Sequence, residues 1–196
     1  MYSDTSPFDQ APTKETAEPS VGGMNLTVRE TRESELSKSK QTFDLFGVQI
    51  NFLASPLDTG AELSMFKGKM PSGTVVPLHC HRDPEVLYVL EGELEVYRHT
   101  GIFTGWHTAT AGEVVIITGG QKHALRNHSD RITTLLLLTK EDLYNFFYEV
   151  AVPLENADGI SSHSAESMQK LFKAAASHHY WMGSAEENAS IGITLA

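Results

Sequence analysis

The sequence is short of cysteine, of basic charge and of long apolar runs, and each shortage closes off a class of function. Cys80 is the single cysteine of 196 residues, so no intrachain disulfide framework can hold the fold. Lys and Arg total 15 against 25 Asp and Glu, a formal charge of -10, which argues against a nucleic-acid backbone or an anionic membrane surface as partner. No apolar run reaches membrane-spanning length, and the start lacks the basic-then-apolar texture of a secretion signal. The expectation is a soluble cytoplasmic protein whose partners are small molecules or other proteins. At this length one domain with a real core is the default.

Three textures follow one another along the chain. Residues 1–40 are rich in Ser, Thr, Glu, Lys and Pro and hold few large apolar side chains, so they bury too little surface to offset ordering entropy; a mobile N-terminal arm is expected. Residues 41–140 alternate short Val, Ile, Leu and Phe segments with Gly, Pro, Ser and Asp, the spacing of an all-β barrel or sandwich. Nine strands are expected, from "GVQINFLA" to "TTLLLLT", with "YVLEGELEVY" folded as a tight hairpin on Glu91 and Gly92. Residues 141–196 read as a helical extension packed on the barrel. Leu143, Phe146, Phe147 and Val150 recur at helical intervals, as do Met168, Leu171, Phe172 and Ala175, giving two helices, the second N-capped near Ser164.

The chemistry concentrates in "GTVVPLHCHRDPEVLYVLEG", residues 73–92. On a strand His79 and His81 share a face, while Cys80 points away from them as a small buried hydrophobe. Pro84 favours a bend that returns Glu85 to the same place, and "GEVVIITGGQKHALRN" supplies His123 after a Gly-rich turn. Three imidazoles and a carboxylate suit a transition-metal ion with coordination positions left open. The plain alternative is a set of hydrogen-bonded core side chains, which an apolar barrel tolerates poorly.

These residues match two spaced motifs. Gly73, His79, His81, Glu85 and Gly92 stand at every fixed position of the first motif of the cupin superfamily, which the chain closely resembles. Gly112, Thr118, Gly120, His123 and Asn127 resemble the second, with Thr118 where the family usually has proline, a change to the turn and not to a ligand. The resemblance implies a cupin double-stranded β-helix, or jelly-roll barrel, binding one divalent ion (Fe, Mn, Ni, Co, Cu or Zn) through His79, His81, Glu85 and His123. A single barrel followed by the aromatic "LYNFFYEVAVP" helix and a closing helix also resembles quercetinase-like bacterial cupins. That resemblance implies a dioxygenase cleaving a small enolic or aromatic substrate, with Glu85 as general base. A non-catalytic metal-containing binding barrel and, behind it, a sugar or keto-acid isomerase are the alternatives, since one fold hosts many functions.

Phe66, Met70, Phe146 and Phe147 are the candidate walls of a substrate pocket, with Phe52 and Tyr88 weaker. His99, His107 and His128 read as surface side chains, and His178 and His179 as partners of a helix C-terminus. Because "TTLLLL" and "EVVII" are apolar on both faces, an outer layer of helix or a second subunit is needed, and a homodimer is expected.

Overall fold

The computed structural model describes residues 41–60, 62–100, 103–154 and 165–195. The expected arm over 1–40 and the Ser164 cap lie outside the described residues. Twelve strands are present among them: β1 (Phe43–Leu45), β2 (Val48–Ala54), β3 (Ser64–Met70), β4 (Val75–Cys80), β5 (Glu85–Glu91), β6 (Glu93–Thr100), β7 (Phe103–Thr110), β8 (Val114–Ile117), β9 (His123–Arg126), β10 (Thr133–Thr139), β11 (Val152–Pro153) and β12 (Trp181–Met182). The helices are α1 (Glu141–Val150), α2 (Ala165–Ser177) and α3 (Ala185–Ser190). All nine expected strands are there. No helix among the described residues is long and apolar enough to cross a membrane.

The strands form a seven-stranded sheet, β11-β1-β2-β3-β10-β5-β8, and a five-stranded sheet, β12-β4-β9-β6-β7. Period-two alternation decides what lies between them. On β3 the buried set is Ser64, Phe66, Gly68 and Met70, and on β5 it is Glu85, Leu87 and Val89. Leu94, Val96 and Leu125 enter the same core from the other sheet. Each large side chain so buried stabilises the fold by about 1.5–3 kcal/mol.

The expected tight hairpin at Glu91 and Gly92 is not formed. β5 lies between β10 and β8, whereas β6 lies between β7 and β9 in the opposite sheet. Gly92, at φ 80, carries the chain from one sheet to the other. A Cβ there would stand 2.8 Å from the Ile132 carbonyl oxygen, so glycine is required by close approach as well as by φ. The true two-residue turn is Phe46-Gly47 between β1 and β2, with φ 51 and φ 90, the pattern of a type I′ turn.

Three helices, not two, follow the barrel among the described residues. α1 has no side-chain cap of its own at Lys140; instead Asp83, sixty positions earlier, accepts the Leu143 N–H at 2.9 Å through Oδ2. α2 ends in a Schellman turn: Tyr180 N–H donates to Ala175 O at 2.8 Å and His179 N–H to Ala176 O at 3.1 Å, with His179 in the left-handed region at φ 58. α3 is opened by a capping box between Ser184 and Glu187. Its buried Asn188 accepts the Leu78 N–H at 2.9 Å and donates to the carbonyls of Gly183 and Ser184. Between α2 and α3, β12 pairs with β4, Trp181 opposite Cys80 and Met182 opposite His79. The chain end is thereby fastened to the strand that carries the motif histidines.

Candidate metal centre

His79 lies on β4 directly opposite His123 on β9, with ring centroids 4.1 Å apart. His81 follows the end of β4, its ring 5.4 Å from His79 and 5.0 Å from His123. One ligand nitrogen from each of the three lies within 4.8 Å of the others. Each Nδ1 meets a backbone carbonyl oxygen: His79 that of Pro77 at 2.7 Å, His81 that of Asp83 at 2.8 Å and His123 that of Gln121 at 2.8 Å. With Nδ1 donating, the neutral ring presents the Nε2 lone pair to the centre, the tautomer a metal ligand needs.

Glu85, first residue of β5, stands beside two of the three. Its Oε1 is 3.6 Å from His81 Nε2 and its Oε2 3.5 Å from His123 Nε2, beyond good hydrogen-bond range. His81 Nε2, Glu85 Oε2 and His123 Nε2 are buried without a hydrogen-bond partner. Each such group costs about 1–3 kcal/mol. Three orphans facing one point fit a cation.

The local charges agree. Burial raises the Glu85 carboxyl, but His123 and His81 outweigh it and hold the group well below its ordinary range. Burial, then the neighbouring His123 and His81, depresses His79 well below the ordinary histidine value. For His81 burial also acts downward, yet Glu85 and Asp83 outweigh it and the net shift is up. Cys80 is half-buried rather than buried, its side chain on the opposite pleat from the histidines; burial pushes its thiol up, away from reactivity.

The two motif loops clasp each other behind the ligands. Gly120 N–H donates to His81 O at 2.8 Å, and the Gly119 α-carbon sits so close to Arg82 that a Cβ would meet its carbonyl oxygen at 2.0 Å. Gly119 is outside the spaced motif, and the "GG" pair was its only trace in the sequence. Asp83 joins this clasp to the helical layer, since its carbonyl holds His81 Nδ1 and its carboxylate holds the first turn of α1.

A cavity of about 110 Å³ opens beside the histidines. Phe66, Met70, Phe146 and Phe147 all line it, with His79, His81 and Glu85 at one end. Phe52 instead packs edge-on behind Phe66, and Tyr88 faces outward. No Lys or Arg is among the described lining residues. Among the wall residues that sequence reasoning missed are two aromatics. Phe46 reaches the cavity from the strained β1–β2 turn, and Tyr180 from the end of α2, with its ring 5.4 Å from His81 and 5.1 Å from Phe146. Burial, then the charges of Asp83, Asp142 and Glu85, pushes the Tyr180 hydroxyl up, so it is a donor at ordinary pH.

The surface histidines stand as expected, with His99, His107 and His128 exposed. His178 differs: its Nε2 pairs with Glu149 Oε2 at 2.7 Å, tying the end of α2 to α1.

Residues 66–139 match the family described as the Cupin domain. Solved structures match over part of the chain. They include the DMSP lyase DddQ from Ruegeria pomeroyi (29% identity over 42% of this chain and 40% of that one, TM-score 0.38). A predicted oxalate decarboxylase from Thermotoga maritima is 22% identical over 52% of this chain and 93% of its own (TM-score 0.46). The cupin domain of an XRE family transcriptional regulator from Enterobacter cloacae is 26% identical over 48% and 97% (TM-score 0.40). The alignment thus spans well under half of the lyase. No curated protein matches.

Proposed function

From a chain whose residues 66–139 are a cupin domain, we propose a mononuclear metal enzyme, a dioxygenase acting on a small enolic or aromatic molecule. One observation carries the reading: three imidazoles with inward lone pairs, and a carboxylate beside them, open directly onto an apolar cavity. His79, His81 and His123 would hold a divalent ion, with Glu85 as the fourth ligand or next to it. Bound there, such an ion supplies Lewis acidity and open positions for substrate oxygen and for dioxygen. Glu85, kept ionised by its histidine neighbours, takes the proton of a substrate hydroxyl, and the apolar walls exclude water from the reacting carbon.

Size and charge narrow the substrate. An apolar cavity of roughly 150 Å³ takes up one benzene ring, so 110 Å³ suits a single-ring or smaller molecule. A three-ring flavonol requires the α1–α2 roof to open, so the quercetinase-like reading keeps its chemistry without that substrate. A sugar phosphate would meet no Lys or Arg among the described wall residues, which ranks an isomerase lower.

The test is elemental analysis of protein purified without added metal, followed by oxygen-electrode assays with one-ring enols and phenols. Stoichiometric metal, lost in His123→Ala, with oxygen uptake is the expected result. Metal without oxygen uptake or product, together with tight ligand binding, favours the non-catalytic barrel; absence of metal sinks both.

The proposal includes a cytoplasmic homodimer. α1 and α2 line the cavity roof, and among the described residues nothing covers the outer face of β8 and β5, where Val114 is 54% exposed and Ile116 56%. These pair in register with Tyr88 and Val86 at a sheet edge, a surface that invites a second copy. Sedimentation as a monomer at micromolar concentration would refute it.

A further inference from the structure

Donors and acceptors are unevenly placed around the cavity. Each motif imidazole commits its Nδ1 to a backbone carbonyl oxygen and turns its other nitrogen toward the centre, beside the Glu85 carboxyl group. Among the described lining residues Tyr180 carries the one side-chain hydroxyl, and its Oη is buried with no hydrogen-bond partner. Its position is built from both sides. The Schellman turn fixes its backbone from α2, and the pairing of Trp181 with Cys80 fixes the next residue on the sheet. Phe146 and His178 flank the ring at 5.1 and 5.8 Å.

A buried hydroxyl held this firmly in the wall of an apolar cavity lacks one thing: an acceptor on the ligand. We infer that the cavity binds an uncharged molecule of about one ring carrying a carbonyl-type oxygen, which accepts a hydrogen bond from Tyr180 Oη while its apolar body lies against Phe66, Met70, Phe146 and Phe147. This deepens the proposed function and rests on it for the ion side of the ligand. Tyr180's own part requires only the cavity. Tyr180 is then the specificity-determining residue that separates a ketone or enol from a hydrocarbon of the same shape.

Cyclohexanone and cyclohexane differ in that one oxygen. Headspace partitioning of each over the protein as purified, with metal measured in the same samples, reads the inference. In Tyr180→Phe, cyclohexanone should bind about ten-fold more weakly, the loss of one hydrogen bond, while cyclohexane binding is unchanged. Should that variant not fold, Tyr180→Leu must show the same selective loss. Equal cyclohexanone affinity in wild type and variant, with metal content intact, overturns the inference and leaves the metal centre standing. The selective loss in protein that carries no metal supports Tyr180 and removes the metal reading instead. Loss for both ligands alike shows Tyr180 to be packing only, and no binding of either ligand to wild type refutes the cavity's role; both overturn the inference.

Discussion

The two ends of the cavity are built in opposite ways. At the ligand end His79, His81 and Glu85 fall within seven residues, and His123 faces His79 across one strand pair. At the roof, Phe66, Phe147 and Tyr180 come from a strand, a helix and a helix terminus spread over more than a hundred residues of sequence. At the first, every imidazole ring is hydrogen-bonded to a nearby backbone carbonyl; the second is assembled by packing between elements distant in sequence. The chemistry of such a site can therefore persist while its selectivity drifts, because the two rest on different interactions.

The largest effect should come from breaking the ligand end at its backbone. Gly119→Ala places a methyl 2.0 Å from the Arg82 carbonyl oxygen, an approach that only backbone displacement relieves. It separates the loops joined by Gly120 and His81, and a loss of roughly 3 kcal/mol or more, together with bound metal, is expected in thermal melts and metal assays. A normal melting temperature with full metal content would mean that the clasp is dispensable.

Opening the roof should leave the ligands alone. Phe147, 8% exposed and 5.1 Å edge-on to Phe66, touches no motif residue in the aromatic contacts. Phe147→Ala should cost about 3 kcal/mol in chemical denaturation and keep its metal, while the enlarged cavity admits bulkier ligands. Metal loss in this variant would contradict the separation of the two ends.

Asp83 is where the separation fails. Its carbonyl orients His81 and its carboxylate caps α1, so Asp83→Ala should loosen both at once. The expectation is about 1 kcal/mol of stability from the lost cap and, through the freed loop, about ten-fold weaker metal binding by competition titration. An effect on stability alone would show that the two hydrogen bonds act independently.

What the sequence disclosed follows the same division. The four ligand-end residues were legible because strand periodicity and fixed spacing are local, and the nine strands because apolar alternation is local too. The turn at Gly92 was misread because a positive-φ glycine between two strands looks the same whether the strands pair or part to opposite sheets; Ile132, forty residues on, decides. The third helix did leave a mark in Ser184 and Glu187, the capping-box spacing, but with no apolar periodicity behind it in "AEENAS" it went unread. Tyr180 left none, since its place depends on a helix ending at His179 and a strand docking on Cys80. Asp83 looked like spacer between ligands, and nothing local announces a cap for a helix sixty residues away.

The smallest effect is on protons, and it tests the ligand end by itself. An imidazole must be neutral to bind an ion. His79 is already neutral near neutral pH, its pKa depressed by burial and by His123 and His81, and Glu85 stays ionised. His81 is the exception: against burial, Glu85 and Asp83 raise it above the ordinary histidine value. Below that raised value an incoming ion must displace the His81 proton, so affinity should fall about ten-fold per pH unit; above it no proton is displaced and affinity should level off. Calorimetric titration with zinc in two buffers of different ionisation enthalpy should show proton release from the protein below the His81 value, shrinking as pH rises through it. Because Glu85 causes the shift, Glu85→Gln should move the midpoint to lower pH, and an unmoved midpoint would place the displaced proton on another residue.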